Sequence, residues 1–222
     1  MGTRYSRSRY MGGRSRRMCK GAARPTDVLM DYITIDFEAS CLPRHGRSFP
    51  IEVGISGAMG TRSWLIQPVL AWQEWHWGER AARLHGISRE LLDWQGCDPD
   101  FVIDGILETV GSARVIADST IDAIWWQTLL AAATPSPRPL LHIEHVSTVL
   151  DELSATDAQI IRAQQQADAL CPLRHRAGAD AQWLWTLLRA LREQISTDHA
   201  QGYWPVASEL YPYTDYRPQS VG

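Results

Sequence analysis

Apolar residues recur with a strand-like period in the first half of the chain. Runs rich in β-branched and aromatic residues predict strands at about residues 32–40, 51–56 and 63–67, with a Gly-bearing turn before the third. That turn makes a hairpin of the last two runs, so we expect three adjacent, antiparallel strands. Two further short apolar runs, at about residues 113–117 and 140–146, predict two more strands.

Helical spacing dominates the rest of the chain. Predicted helices cover about residues 98–110, 123–133, 147–169 and 180–196. Asp98 is expected to cap the first of them, whose inner face is predicted to include Phe101 and Val102. The third has a polar composition, whereas the fourth carries Trp and Leu residues at helical spacing and is predicted to be amphipathic.

Length and composition indicate one ordinary folded domain. The chain has 222 residues, 45% of them hydrophobic, and a formal net charge of −3. A mildly acidic protein is a poor match for gripping long duplexes by bulk electrostatics, although a local basic patch remains open. The four cysteines, Cys19, Cys41, Cys97 and Cys171, form no C-x-x-C pair, which argues against a zinc site or a disulfide framework. A reducing cytoplasm and no membrane-spanning segment are therefore expected.

The two ends of the chain differ in composition from its middle. Residues 1–27 are rich in Arg and contain almost nothing apolar to bury, which predicts a disordered basic extension. Such a segment could be a nucleic-acid-binding arm, a solvated extension, or the product of a gene model that starts too early. Residues 28–196 are expected to form the folded domain and residues 197–222 a surface tail.

The first predicted strand ends with two acids. Side chains alternate along a strand, so Asp36 and Glu38 point to the same side while Phe37 points to the other. Two neighbouring carboxylates repel each other unless a proton or a cation lies between them, and hard divalent ions prefer oxygen ligands. The pair therefore predicts a metal-binding strand end. The alternative is that both acids lie on the solvated face of an antiparallel strand.

Further candidate residues lie where predicted strands end and helices begin. Asp118 and Asp122 flank the start of the helix after the fourth strand, and helix capping accounts for one of them but hardly for both. His175 precedes Asp180 by five residues, just before the last helix. His145, on the fifth strand, is expected at the surface or at an edge and not as a ligand.

Taken together, these motifs resemble the DEDDh group of 3′-to-5′ exonucleases, which includes proofreading subunits of DNA polymerases, ribonuclease T and oligoribonuclease. The resemblance rests on Asp36-x-Glu38, on Asp122, and on His-x-Ala-x-x-Asp-Ala from His175 to residue 181, in that order. It covers about residues 33–191. Where many members read His-Asn-x-x-Phe-Asp, residues 117–122 here read Ala-Asp-Ser-Thr-Ile-Asp, so Asp118 replaces an asparagine.

The resemblance implies a fold and an activity. The fold is α/β, a ribonuclease H-like mixed sheet with three antiparallel strands followed by parallel strands, flanked by helices. The activity is metal-dependent 3′-to-5′ exonuclease cleavage of single-stranded or short nucleic acid, which releases nucleoside 5′-monophosphates. By resemblance, two Mg²⁺ or Mn²⁺ ions are held by Asp36, Glu38, Asp122 and Asp180, with Asp36 bridging them, and His175 deprotonates the attacking water.

The resemblance and position along the chain also suggest where the substrate binds. The loop after Glu38 is rich in turn formers and basic residues and emerges beside the paired acids, so Arg44 or Arg47 is expected to contact phosphate and sugar. The segment His85-Gly86-Ile87 resembles one that lies beside the terminal base in relatives. The expected substrate-binding residues are Ala39, Ser40, Cys41, Leu42, Arg47, His85, Ile87 and Asp118.

The expected partners are 3′ ends of single-stranded DNA or RNA, with no membrane involved. Numerous Trp residues and a long C-terminal tail are compatible with a homodimer, and the sequence leaves the oligomeric state open. Two alternatives stay open at the level of sequence. One is a catalytically silent module on the same fold that binds nucleic acid or another protein. The other is a different metal phosphoesterase or phosphotransferase that uses the same acids without depending on His175.

Overall fold

The computed structural model describes residues 32–200. The predicted basic extension at residues 1–27, the start of the expected domain at 28–31 and the tail residues 201–222 lie outside this part. Five strands form one sheet in the order β3-β2-β1-β4-β5. They are β1 (Tyr32–Ala39), β2 (Pro50–Gly57), β3 (Gly60–Leu65), β4 (Arg114–Ala117) and β5 (Ile143–His145).

The central strand, β1, has a neighbour on each side. It pairs antiparallel with β2, which pairs antiparallel with β3, so the first three strands are adjacent as predicted. On the other side β1 pairs parallel with β4, and β4 pairs parallel with β5. The expected mixed sheet is therefore confirmed. Because β1, β4 and β5 run in the same direction, their carboxyl ends meet at one edge of the sheet, where ligands bind in open α/β folds.

The described part contains the helices α1 (Glu79–His85), α2 (Arg89–Gln95), α3 (Pro99–Val110), α4 (Ile121–Ala132), α5 (Val146–Glu152), α6 (Asp157–Leu170) and α7 (Ala177–Ala200). Asp98 caps α3 as predicted, since its side chain accepts a hydrogen bond from the Asp100 N–H. The inner-face prediction for Phe101 is wrong, because this side chain is 62% exposed. The buried face of α3 runs through Val102 and Ile106, and Phe101 lies outside that stripe.

The polar segment predicted as one helix at residues 147–169 forms two. Between them Ser154 has a φ of 50°, a left-handed conformation that a continuous helix excludes. Thr156 then starts α6 with a capping box, in which its hydroxyl and the Gln159 side chain bond reciprocally to backbone N–H groups. The last helix, α7, continues to Ala200, past its expected end.

The sheet separates two hydrophobic clusters, as a sheet covered by helices on both faces requires. One cluster joins β1 and β2 to α3 and α4, and includes Ile35, Phe37, Val53, Ile103 and Trp126. The other joins β1 and β4 to α5, α6 and α7, and includes Tyr32, Ile116, Val149, Ala163 and Leu187. Alternation along β1 therefore sends Phe37 to one layer and Asp36 and Glu38 towards the other.

The start of α7 lies directly on the sheet. A Cβ atom at Gly54 would stand 2.2 Å from the backbone of Ala177 and Gly178, so only glycine permits this approach. The Thr34 hydroxyl donates a hydrogen bond to the Ala181 carbonyl at 2.6 Å. Since Gly54 faces Asp36 across the β1–β2 pair, the first turn of α7 is held beside the acidic end of β1.

The described chain contains three free cysteines, Cys41, Cys97 and Cys171. Within residues 32–200, no helix is both long and apolar enough to cross a bilayer.

Candidate active site

Five carboxylates converge at the carboxyl ends of β1 and β4. Asp36 and Glu38 belong to the end of β1, Asp118 follows β4, Asp122 lies in the first turn of α4, and Asp180 lies in the first turn of α7. They form two groups, Asp36 with Asp118 and Asp122, and Asp36 with Glu38 and Asp180. Within each group, one oxygen from every carboxylate lies within 4.8 Å of the others, and Asp36 belongs to both groups.

Burial, and then repulsion between neighbouring carboxylates, raises the pKa of Asp36, Glu38 and Asp122. Burial raises the pKa of Asp36 well above its usual value, and the negative charges of Asp122 and Asp180 add to the effect. Burial and then the Asp180 charge raise the pKa of Glu38 to about 7, and burial and then Asp118 raise the pKa of Asp122 to about 8. Such carboxylates need bound protons or a bound cation near neutral pH.

The environment of Asp122 fits a cation. The residue is only 1% exposed, and hydrogen bonds from the backbone of Phe37 and Ser119 only partly offset the rise in its pKa. Its buried Oδ2 atom has no hydrogen-bond partner among residues 32–200. Buried carboxylate oxygens without hydrogen bonds are costly, and hard oxygen donors are the ligands that Mg²⁺ and Mn²⁺ prefer. The donor set therefore fits a divalent ion.

The loop before α7 is held by Asp180. Its Oδ2 accepts hydrogen bonds from the backbone N–H of His175 at 2.7 Å and of Arg176 at 3.2 Å, while Oδ1 pairs with the Arg174 guanidinium. His175 has a φ of 65°, and its residue is exposed. The carboxylate thus fixes the backbone of the predicted general base and leaves its imidazole accessible to solvent.

Glu52 is a further charged residue at this site, and the sequence analysis did not single it out. It faces Glu38 across the β1–β2 pair and is 2% exposed. Its carboxylate accepts hydrogen bonds from Arg176 Nε at 2.9 Å, from Arg176 Nη2 at 2.8 Å and from the Ala177 N–H at 3.1 Å. This bidentate pair ties β2 to the loop that carries His175.

A cavity of about 610 Å³ opens beside Glu38, within the range of small-molecule sites. Four of the expected substrate-binding residues line it, namely Ala39, Cys41, Leu42 and His85. The other lining residues are Phe37, Glu38, Arg44, His45, His76, Gly78, Glu79, Arg80, Ala81, Leu84 and Trp125. Asp118 lies with the carboxylates, as described above.

The remaining expected substrate contacts lie elsewhere. The Ser40 hydroxyl accepts a hydrogen bond from the Phe49 N–H, and Ile87 is buried in the core. The Arg47 guanidinium stacks over the Trp75 ring at 4.3 Å. The cavity has other basic side chains, of which the sequence analysis named only Arg44 as an alternative phosphate contact to Arg47. They are Arg44, His45, His76 and Arg80.

His85, which lines this cavity, has a buried ring nitrogen without a hydrogen-bond partner within residues 32–200. The backbone N–H of Ile87 donates to His85 Nδ1 at 3.0 Å, so in the neutral ring the proton is on Nε2. Burial lowers the pKa of His85 to about 4, which keeps the ring neutral. The Nε2 atom is buried and has no hydrogen-bond partner in the described part of the chain.

His145 contacts the acidic site through the backbone. Its Nδ1 accepts a hydrogen bond from the Ser147 N–H at 3.2 Å, so Nε2–H donates to the Asp118 carbonyl at 3.0 Å. The alternation of β5 alone gave no sign of this contact. It arises because β5 runs parallel to β4, which brings the ends of the two strands together.

The sequence matches no protein-family model, and no curated protein matches it. Solved structures are similar. A 3′-exonuclease that recognises the histone mRNA stem-loop is 17% identical over 78% of this chain and 68% of its own, with a TM-score of 0.53. Exonuclease I from Methylocaldum szegediense is 16% identical over 76% of this chain and 42% of its own, with a TM-score of 0.51.

A full-length 3′-exonuclease is also 17% identical over 74% of this chain, with a TM-score of 0.49, and the chain spans 61% of its length. At such low identity a structural likeness bears on fold alone. Two observations indicate the same fold: the mixed sheet with its strand order, and the two similar structures with TM-scores above 0.5. The chain therefore has the ribonuclease H-like fold of solved 3′-exonucleases.

Proposed function

We propose that this chain is a metal-dependent 3′-to-5′ exonuclease that hydrolyses single-stranded or short nucleic acid and releases nucleoside 5′-monophosphates. The observation that carries the proposal is the meeting of two carboxylate groups, joined by Asp36, at the edge of a cavity. The 3′-exonucleases among solved structures of this fold support it.

In this proposal Asp36, Glu38, Asp122 and Asp180 hold two divalent ions, Mg²⁺ or Mn²⁺. Bound ions would stabilise the negative charge that develops on the phosphodiester oxygens and would lower the pKa of a water molecule. The structural feature that favours cations here is the elevated pKa of Asp36, Glu38 and Asp122. Filling the site with cations relieves the repulsion among these carboxylates.

His175 acts as the general base. It takes a proton from the attacking water, whose oxygen forms a bond to phosphorus while the bond from phosphorus to the 3′-oxygen of the preceding nucleotide breaks. That 3′-oxygen leaves and becomes a hydroxyl group after protonation. An imidazole has an ordinary pKa near neutrality and suits this transfer. The hydrogen bond from the His175 N–H to Asp180 holds the backbone of this base next to a metal ligand.

The terminal nucleotide occupies the cavity beside Glu38. Phe37 and Trp125 provide apolar lining, while Arg44 and Arg80 supply positive charge for phosphate oxygens. His85 lines the cavity, and a base or sugar oxygen of the nucleotide is the proposed acceptor for its Nε2–H, which is buried and has no partner within residues 32–200. The stacking of Arg47 on Trp75 favours Arg44 and Arg80 over Arg47 as phosphate contacts.

The test uses 5′-labelled single-stranded DNA and RNA incubated with the full-length protein and Mg²⁺, Mn²⁺ or a chelator. The expected result is a ladder that shortens from the 3′ end, depends on metal and disappears in Asp36→Asn and His175→Ala. Asp151→Asn, an exposed acid on α5, is the matched control. A metal-dependent product that does not require His175 would favour a different phosphoesterase, and no cleavage with either ion would favour a silent binding module.

The finer parts of the proposal have their own measurements. Comparing the two labelled substrates ranks DNA against RNA, because the choice depends on contacts to the 2′-hydroxyl. Light scattering of the purified protein tests whether it forms a homodimer, where a monomeric mass excludes one. The expected cytoplasmic location is tested by cell fractionation, where recovery with membranes contradicts it.

A further inference from the structure

Asp118 differs in chemistry from the residue that it replaces in the resembling pattern. An asparagine offers one neutral carbonyl oxygen, whereas a carboxylate offers two oxygens and a full negative charge. Hard divalent ions favour the charged ligand. Asp118 is also exposed, whereas Asp122 is buried, so the Asp118 carboxylate lies at the solvent side of the acidic site.

The group formed by Asp36, Asp118 and Asp122 has the dimensions of an ion site. Its oxygens lie within 4.8 Å of one another. Oxygen ligands at about 2.0–2.1 Å from Mg²⁺ lie at most about 4.2 Å apart, on opposite sides of the ion, so small side-chain rotations would bring the three carboxylates onto one ion. The group shares only Asp36 with the second group, which contains Glu38 and Asp180. The two groups can therefore serve two ions.

An independent observation points to a ligand at the first group. Asp122 Oδ2 is buried and has no hydrogen-bond partner within the described residues, although its residue is almost completely shielded from water. Buried charged groups are normally paired or coordinate metals. The Arg174 guanidinium is engaged with Asp180 in the other group. A divalent ion between Asp36, Asp118 and Asp122 would satisfy the unpaired oxygen.

The backbone around Asp118 is fixed for this role. His145 donates a hydrogen bond to the Asp118 carbonyl at 3.0 Å, and the Ser119 hydroxyl accepts one from the Ile121 N–H at 3.2 Å. These bonds connect the residue to β5 and to the start of α4. Asp118 is thus held at a defined position and does not depend on a substrate for its placement.

We propose that Asp118 is a direct metal ligand, and that Asp36, Asp118 and Asp122 bind a second divalent ion in the absence of nucleic acid. The inference rests on the proposed function and deepens it. With only Asp36 and Asp122, the second ion would need substrate phosphate oxygens to complete its coordination, as magnesium sites with one or two carboxylates do. With Asp118 present, three carboxylates hold that ion before substrate arrives.

The test measures Mn²⁺ binding to the full-length protein without nucleic acid, by calorimetry and by electron paramagnetic resonance. We expect two Mn²⁺ ions per chain, with dipolar coupling between them. Asp118→Asn restores the residue of the resembling pattern and is expected to weaken the second ion at least about tenfold and remove the coupling, since even indirect metal contacts contribute 10–100-fold. Asp151→Asn is the exposed control. Circular dichroism in chelator checks that every variant is folded.

Two outcomes would overturn the inference: one Mn²⁺ ion in the unaltered protein, or two coupled ions of unchanged affinity in Asp118→Asn. Asp118→Ser repeats the test if Asp118→Asn is unfolded. The metal-binding test and the cleavage test can fail independently of each other. A protein that cleaves oligonucleotides but binds one ion without them contradicts only the role of Asp118. A protein that binds two coupled ions but cleaves no oligonucleotide contradicts only the exonuclease.

Discussion

Asp122→Asn should stabilise the metal-free protein at alkaline pH while abolishing cleavage. Asp122 is 1% exposed, and its pKa is raised from 3.8 to about 8. Asn has nearly the same shape and no charge to desolvate. One Asn oxygen can still accept the backbone hydrogen bonds that Asp122 receives. The neutral side chain, however, removes one carboxylate ligand from the group formed by Asp36, Asp118 and Asp122.

The direction of the pH effect follows from proton linkage. Below about pH 4 the carboxyl of Asp122 is protonated in both the folded and the unfolded chain, so its pKa shift has no effect on stability. Between about pH 4 and about pH 8 the folded chain keeps the proton that the unfolded chain has released. The free energy of unfolding therefore falls as the pH rises through this window. For a shift from 3.8 to about 8, the loss is on the order of 5 kcal/mol.

The assay is thermal unfolding of the full-length protein in chelator at about pH 5 and about pH 8, where each 1 kcal/mol corresponds to roughly 2–4 °C in Tm for a domain of this size. We expect the Tm of the unaltered protein to fall by several degrees from about pH 5 to about pH 8. The Tm of Asp122→Asn should fall less, so that at about pH 8 it is higher than the Tm of the unaltered protein. Added Mn²⁺ should reverse that order, because it stabilises only proteins that bind it.

Asp151→Asn is again the matched control and should follow the unaltered protein at both pH values. The reasoning is refuted if the unaltered protein in chelator has the same Tm at both pH values. It is also refuted if Asp122→Asn unfolds at a lower temperature than the unaltered protein at about pH 8.

Three further predictions concern residues around the site. His85→Leu removes the unpaired Nε2–H donor and should raise KM for oligonucleotides about tenfold in steady-state kinetics, while an unchanged KM contradicts its contact with substrate. Glu52→Gln removes the charge of the buried carboxylate from its pair with the half-exposed Arg176. It should lower the free energy of unfolding by about 1–2 kcal/mol in urea, whereas a loss below about 0.5 kcal/mol contradicts that pairing. Gly54→Ala should prevent stable folding, because its Cβ would meet the α7 backbone at 2.2 Å. The matched variant Gly57→Ala would meet the Ile33 side chain at 3.2 Å and the Tyr32 carbonyl oxygen at an ordinary contact distance of 3.6 Å, and should fold. Equal Tm values for both variants refute this.

Short-range features of this protein could be predicted from the sequence. The alternation along β1 put Asp36 and Glu38 on the same side, and the structure has both in one carboxylate group. The cap at Asp98 and the three adjacent strands of the first half were also predictable. These features depend on residues close together in the chain, whose periodicity and turn chemistry are visible without tertiary contacts.

The wrong prediction for Phe101 shows what local periodicity does not decide. Helical spacing identifies the apolar residues of a helix, but the elements that pack against the helix decide which of its faces is buried. In α3 the buried stripe includes Val102 and Ile106 and leaves Phe101 exposed. The break between α5 and α6 at Ser154 could not be predicted from the sequence either, because a single left-handed residue leaves the helical periodicity on both sides unchanged.

Several features of the site were decided only by tertiary structure. The Glu52–Arg176 pair joins residues 124 positions apart, and the His145 contact with Asp118 spans 27 positions. The sequence alone named the candidate metal ligands and the local element on which each one lies. The parallel pairing of β1, β4 and β5 and the close approach of α7 at Gly54 decided which of them meet, because such contacts depend on packing between segments that local periodicity does not connect.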